Sequence, residues 1–196
     1  MQHVKDNNKN IVSDIAFAAV FAALIVVLAF VSIPTASGVP IVLQNAAIIL
    51  TALILGPKRG FYAVALFFVL AAVNLPVLAG GRTLWAAAAG PTVGYLIGYL
   101  LSPLAAGWVS AGATRSKVRM TVFLALGSLA GFAVQYAFGI GGLILRAGMD
   151  LKAALLAQVP FLPGMGIKLV IICVIAVGVH MALPHLRNFR QLTVNA

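Results

Sequence analysis

Long apolar stretches alternate along the chain with short segments that are polar, basic or rich in glycine and proline. The breaks include two prolines and a glycine within 33–40, a basic turn at 56–60 and two prolines within 160–164, and such residues end helices readily. The pattern predicts an all-α integral membrane protein with six transmembrane helices. The predicted spans lie at about 13–33, 41–55, 61–76, 91–111, 120–145 and 165–184.

Composition makes lipid the solvent for most of the surface. Of the 196 residues, 63% are hydrophobic and 8% are charged, against roughly 25% charged in a soluble domain. Too few polar side chains exist to cover a water-soluble globule. The first apolar run is too long for the core of a cleavable signal peptide. The single cysteine, Cys173, excludes an intramolecular disulfide and a cysteine metal cluster.

The basic side chains are distributed unevenly between the two faces of the membrane. The net charge is +10, and the cations lie between the spans rather than in a patch with aromatics, so they indicate topology and not nucleic-acid binding. With helix ends assigned alternately, nine cations fall on one face and three on the other. The nine are Lys5, Lys9, Lys58, Arg59, Arg115, Lys117, Arg119, Arg187 and Arg190; the three are Arg82, Arg146 and Lys152, with Lys168 inside the last span.

The positive-inside rule then places both termini in the cytoplasm. The chain divides into a cytoplasmic N-terminal tail at 1–12, a six-helix transmembrane domain at 13–184 and a basic cytoplasmic tail at 185–196. We expect Ser13 or Asp14 to cap the first helix, and Asp150 to cap a short amphipathic helix before the last span.

Small residues recur at helical spacing in two spans. Ala18/Ala22 and Ala19/Ala23 form two overlapping pairs in the first span, either for close approach of another helix or simply as part of an alanine-rich helix. In the fourth span, small residues recur at every fourth position and predict tight packing against a neighbouring helix. These are Gly90, Gly94, Gly98, Ser102, Ala106 and Ser110.

The residues that catalysis would need are scarce. The chain has no G-x-x-x-x-G-K-[ST] phosphate loop, and its three acidic residues lie far apart in sequence. Its histidines at 3, 180 and 185 show no metal-ligand spacing. We therefore expect no catalytic residues, no metal and no enzymatic activity, although a membrane enzyme acting on lipid or prenyl substrates stays an alternative, as does a purely structural subunit.

A set of polar side chains falls instead on the predicted outer half. It comprises Gln44, Asn45, Asn74, Arg82, Trp85, Tyr95 and Lys168. An ionisable residue inside a span is costly and usually faces a cavity or a partner. Lys168 alternatively snorkels to the interface, and Arg82 is alternatively solvated in its loop. Two cations near broken helices and aromatics fit a small anionic ligand whose other end is apolar or amide-like.

Four motifs in series resemble the BioY family, the biotin-binding S components of energy-coupling factor (ECF) transporters. Val39–Gln44 resembles VPITLQ, and Leu55–Gly60 is similar to LGPRRG. Residues 75–81 with 90–95 resemble LPVFAGG…GPTGGY. Pro160–Gly164 followed by Lys168 is similar to PFLPGDxxK. The four together cover about residues 39–168 in the family's order.

The resemblance implies a multi-pass subunit of a prokaryotic plasma membrane that captures biotin from outside and needs no cofactor. It also implies a transmembrane coupling protein and two cytoplasmic ATPases as partners, with the alanine pairs of the first helix docking on the coupling protein. Arg82 then binds the valerate carboxylate, while Trp85 and Tyr95 wall the ring system. The reverse assignment, with Lys168 on the carboxylate, stays open.

One position departs from the family pattern. The acidic residue of PFLPGD falls on Met165, and methionine cannot accept hydrogen bonds from the N–H groups of biotin's ureido ring as a carboxylate can. Either Gln44, Asn45 or Asn74 replaces the acid, or the ligand is another small vitamin.

Overall fold

In the computed structural model, residues 2–33, 41–113 and 116–183 are described. The regular secondary structure of this part of the chain is helical apart from one antiparallel pair of two-residue strands, in which Ser32 faces Val42 and Ile33 faces Ile41. The elements are α1 Gln2–Ala29, β1 Ser32–Ile33, β2 Ile41–Val42, α2 Gln44–Leu55, α3 Pro57–Ala72, α4 Leu84–Ala88, α5 Val93–Ser110, α6 Lys117–Ala147, α7 Leu151–Leu156, a 3-10 turn Val159–Phe161 and α8 Leu162–Ala182. The predicted basic tail at 185–196 and the loop at 34–40 lie outside the described residues.

The long apolar helices confirm the membrane class of the prediction. Four stretches in the described part are long and apolar enough to cross a bilayer: Val12–Ala29, Val93–Ser110, Lys117–Ala147 and Leu151–Ala182. At about 1.5 Å per residue, α2 with its 12 residues is shorter than the hydrocarbon core, which is about 30 Å thick. A count of six crossings therefore stays a prediction.

The first helix differs from its prediction at both ends. It begins at Gln2 rather than near residue 13, so neither Ser13 nor Asp14 is a cap. Asp14 instead forms an ion pair with Arg59 of α3, whose Nε lies 2.6 Å from Oδ1. The helix stops at Ala29 because the following residues turn into the strand pair, where the Leu43 N–H donates to the Val31 carbonyl.

Helix α2 is the centre of the molecule. Every residue from Ala46 to Leu55 is buried, and the helix contacts α1, α3, α5, α6 and α8. A helix that is apolar on all sides is stable only when other elements surround it. The carboxamides Gln44 and Asn45 stand at its N-terminal end, and Thr51 is the other polar residue of the helix.

Helices α5 and α6 form the most extensive helix–helix contact, and the predicted small-residue stripe lies in it. A Cβ added at Gly98 would come within 2.8 Å of the Gln135 Cα, and one added at Gly142 within 2.7 Å of the Gly94 backbone nitrogen. The backbones are too close for any side chain there. Gly90 is the exception, because it lies in the turn before α5.

Two short helices have side-chain caps. Asp150 Oδ1 accepts from the Ala153 N–H at 2.7 Å, which confirms the predicted cap of α7. Thr83 caps α4, a helix that the sequence did not predict, by accepting from the Ala86 N–H.

Candidate ligand-binding site

A cavity of about 350 Å³ lies at the N-terminal ends of α2 and α5, where they meet α6, α8 and the segment before α5. This volume is within the range of about 300–1,000 Å³ that is usual for small-molecule sites. Its lining combines three tyrosines, two cations and three carboxamides with apolar side chains. The lining residues are Val42, Gln44, Asn45, Leu78, Ala79, Arg82, Ala87, Thr92, Tyr95, Leu96, Tyr99, Gln135, Tyr136, Leu143, Ala157, Phe161 and Lys168.

The structure brings five of the seven residues of the predicted polar set together at this cavity. These are Gln44, Asn45, Arg82, Tyr95 and Lys168, from four different parts of the chain. The other two lie outside the lining. Trp85 is 62% exposed and donates its indole N–H to the Ala72 carbonyl at 3.0 Å. Asn74 is exposed in the left-handed conformation, with φ of 68°, just after α3.

Gln44 holds the segment that carries Arg82. Its Nε2 donates to the Val77 carbonyl and its Oε1 accepts from the Ala79 N–H, both at 3.0 Å. The Leu78 N–H then donates to the Arg82 carbonyl at 3.0 Å, closing a tight turn in which both glycines have positive φ. The turn needs glycine at positions 80 and 81 for this reason. Gln44 is thus a positioning residue as well as a lining residue.

Lys168 is buried at the cavity rather than directed to the membrane interface. Its side chain is 9% exposed in the folded chain, and Nζ donates to Asn45 Oδ1 at 3.0 Å. The snorkelling alternative is therefore wrong. Its partner is neutral, and neither Asp nor Glu is among the described residues that line the cavity. An unneutralised buried cation is unfavourable, so the site favours an anionic or strongly polar ligand.

Three lining residues on α5 and α6 were not assigned to the site from sequence: Tyr99, Gln135 and Tyr136. The pair Gln135 and Tyr136 was visible as two polar residues inside an otherwise apolar span. Nothing in the spacing alone distinguished a cavity from a helix interface. Gln135 belongs to both. It lines the cavity, and its Nε2 links α6 to α2 and α5 by donating to the Asn45 carbonyl at 3.2 Å and to Ser102 Oγ at 3.1 Å.

Tyr95 is fixed at its hydroxyl and at its ring. The hydroxyl donates to Gln158 Oε1 at 2.6 Å, which ties α5 to the turn after α7. The ring lies against Gly139 of α6, where any Cβ would overlap it. The wall that the sequence assigned to Tyr95 is therefore rigid.

Met165, where the family pattern has an acid, is outside the cavity lining. It is partly buried and packs against the apolar cluster around α2 and α8. The polar function of that position is thus missing from this chain's cavity, and the oxygen acceptors present belong to amides and hydroxyls.

The four alanines of the first helix separate into two faces. Ala18 and Ala22 are 7% and 1% exposed, so they pack inside the chain and are unavailable for docking. Ala19 and Ala23 are exposed. Adjacent positions on a helix point about 100° apart, and a pattern of small residues does not tell which pair faces inward.

The fold and the cavity define a class: a multi-pass helical membrane protein with a built, cation-lined site for a small molecule. A model of the BioY family matches residues 1–185. The chain belongs to the BioY family, which confirms the resemblance seen in its sequence motifs.

Named relatives agree in length and sequence. The biotin transporter BioY of Rhodobacter capsulatus is 38% identical over 173 residues, covering 83% of this chain and 90% of the relative. That of Thermotoga maritima is 38% identical over 159 residues, covering 81% and 90%. The crystal structure of the S-component for biotin from an ECF-type ABC transporter superposes with a TM-score of 0.76 at 29% identity, covering 89% of this chain and 94% of that one.

Proposed function

We propose that this chain is the substrate-specificity subunit of an ECF-type transporter and that it binds biotin in the cavity described above. The observation that carries the proposal is that buried Lys168 and exposed Arg82 line, together with three tyrosines, a cavity whose volume suits one small molecule. Family membership and the names of the similar transporters support biotin as that molecule.

The lining suits a ligand with two different ends. A guanidinium grips a carboxylate with two parallel hydrogen bonds, so Arg82 on its glycine turn is the site we assign to the valerate carboxylate. Lys168 and Asn45 then face the polar ring of the ligand, and the tyrosines with Leu96 pack on its apolar atoms. Trp85 and Asn74 are left out of this set, because neither lines the cavity.

Biotin is favoured over another small vitamin. The motive for a different ligand was Met165, and that side chain packs in the apolar core rather than at the cavity. Its identity therefore does not argue against the family's ligand.

The orientation we propose has six crossings and both termini in the cytoplasm. Nine of the loop and tail cations then lie inside and three outside, as the positive-inside rule requires. In this orientation the cavity, with Arg82 at its mouth, opens toward the outer face. The three-part division at 1–12, 13–184 and 185–196 belongs to the same proposal.

Energy for uptake is supplied by other chains in this proposal. The sequence contains no phosphate loop, so two partner ATPases hydrolyse the ATP. A transmembrane coupling protein transmits their conformational change to this chain. The exposed pair Ala19 and Ala23 is the docking surface we assign to α1, because it permits close approach of another helix.

Equilibrium binding of biotin to the purified protein tests the ligand. We expect Arg82→Ala and Lys168→Ala each to weaken binding at least tenfold, about 1.4 kcal/mol. Lys152→Ala is the matched control, since this exposed lysine of α7 does not line the cavity. A wild-type dissociation constant weaker than micromolar contradicts the proposed function, and unchanged affinity in either alanine variant removes that residue from the site.

A further inference from the structure

One acceptor at the cavity has no partner. Gln135 is 1% exposed, and its Oε1 makes no hydrogen bond within the described residues. The amide cannot be turned over to correct this, because the Nε2 position faces the Asn45 carbonyl, which only accepts. Buried carbonyl oxygens are nearly always paired, and leaving one unpaired is unfavourable. A donor from a bound ligand would remove the penalty.

The neighbours of Gln135 present hydrogen-bond donors. The main-chain carbonyl of Asn45 accepts from Gln135, and its side-chain Oδ1 accepts from Lys168 Nζ. The Asn45 side chain also carries an NH₂ group with two hydrogens to donate, and the Lys168 ammonium keeps further hydrogens of its own. The cluster Asn45–Gln135–Lys168 thus combines donors from two residues with one unused acceptor.

We propose that this cluster recognises the cyclic urea of the ligand and that Gln135 Oε1 accepts a hydrogen bond from a ureido N–H. The inference rests on the proposed function and adds to it the residue that selects the ureido group. A urea has one carbonyl and a pair of N–H groups; the donors of Asn45 and Lys168 suit the carbonyl, and Gln135 Oε1 suits one of the two N–H groups. The acceptor is a neutral amide, so recognition needs no carboxylate at position 165.

The other side-chain acceptors considered for the ureido N–H either already accept a hydrogen bond or lie outside the cavity. Gln44 Oε1 accepts from the Ala79 N–H, and Asn45 Oδ1 accepts from Lys168. Asn74 does not line the cavity, and no carboxylate does so within the described residues. Of the side-chain amides at the cavity, Gln135 is the one whose oxygen has no partner.

A cycle that changes both protein and ligand tests the hydrogen bond. Gln135→Met keeps the length of the side chain and removes the acceptor, and the probes are biotin and biotin methylated at its ureido nitrogens. We expect the variant to weaken biotin binding at least tenfold and binding of the methylated probe less than threefold. Ser128→Ala is the control, a buried polar residue of α6 outside the cavity lining, and it should change neither affinity.

The outcomes separate the possible failures. Equal weakening of both probes by Gln135→Met, or no weakening of either, overturns the role of Gln135 while biotin binding by the wild type still supports the proposed function. Absence of biotin binding by the wild type overturns both. If Gln135→Met does not fold, Gln135→Glu keeps an acceptor oxygen and, when protonated, a donor toward Asn45. The ratio of its affinities for biotin and for methylated biotin should lie within threefold of the wild-type ratio. A folded Gln135→Glu that binds both probes equally overturns the inference.

Discussion

The polar side chains around the cavity are held in place before any ligand arrives. Gln44 is fixed by two main-chain groups, Lys168 by Asn45, and Tyr95 by Gln158. Ordering long side chains costs conformational entropy, and here folding has already met most of that cost. Tight binding of a small molecule then needs little rearrangement of these residues.

Trp85 provides a test at the level of one residue. The sequence placed it in the site, but its indole is exposed and bonded to the main chain of α3. We expect Trp85→Phe to change biotin affinity by less than threefold, with Tyr136→Ala, at the cavity, as the comparison that weakens it. A tenfold loss in Trp85→Phe, measured by equilibrium binding, would show that the ring enters the site when ligand binds.

Single residues were predictable from sequence where their chemistry was unusual for a membrane. A lysine inside a span and an arginine after two glycines stood out, and both line the cavity. Gln135 and Tyr136 did not, since polar residues inside a span also serve contacts between helices. Which alanine pair of α1 faces the protein interior also depends on the packing of neighbouring helices, which the local sequence does not specify.

At the scale of helices, the contact between α5 and α6 places Gln135 at the cavity. The backbones meet so closely at Gly98 that a Cβ would lie 3.0 Å from the Gln135 carbonyl oxygen. Periodicity predicted this contact, because small residues at every fourth position align on one face. Helix ends were less predictable. The sequence predicted neither the start of α1 at Gln2 nor the short α4, whose beginning depends on a single side-chain cap.

Substitution of Gly98 tests the packing. We expect Gly98→Ala to reduce the free energy of unfolding by about 1–3 kcal/mol, since overpacking forces the backbones apart. Gly141→Ala in α6 is the matched control, because nothing lies within 4 Å of its added Cβ. Thermal unfolding in detergent measures both. Equal melting temperatures for the two variants would show that α5 can shift without cost.

For the whole molecule, the division of the alanines predicts two different defects in α1. Ala19→Trp should block biotin uptake in cells while leaving equilibrium binding intact, because a large side chain on the exposed face hinders docking. Ala22→Trp should lower the yield of folded protein, since Ala22 is buried. Val174→Trp, on the exposed face of α8, is the control, and this variant should take up biotin normally. Normal uptake by Ala19→Trp would place the docking surface elsewhere.

Orientation is testable with single cysteines, because the native Cys173 is buried. We expect Lys152→Cys to react with a membrane-impermeant maleimide in intact cells, and Lys117→Cys to react only after permeabilisation. Both lysines are exposed in the fold, so accessibility reports the side of the membrane. The reverse pattern of labelling would invert the proposed topology.

The cavity carries two cations and, within its described lining, no compensating acid. Burying the Lys168 ammonium without a neutralising acid is unfavourable, and the negative charge of a bound monoanion reduces that cost. The free energy therefore falls when the ligand binds and rises when it is released. Binding of the anion is favourable without external work, whereas its release leaves the buried Lys168 unneutralised again. External work is then needed for ligand release. A subunit of this design would bind its ligand readily and release it slowly when separated from the ATPases.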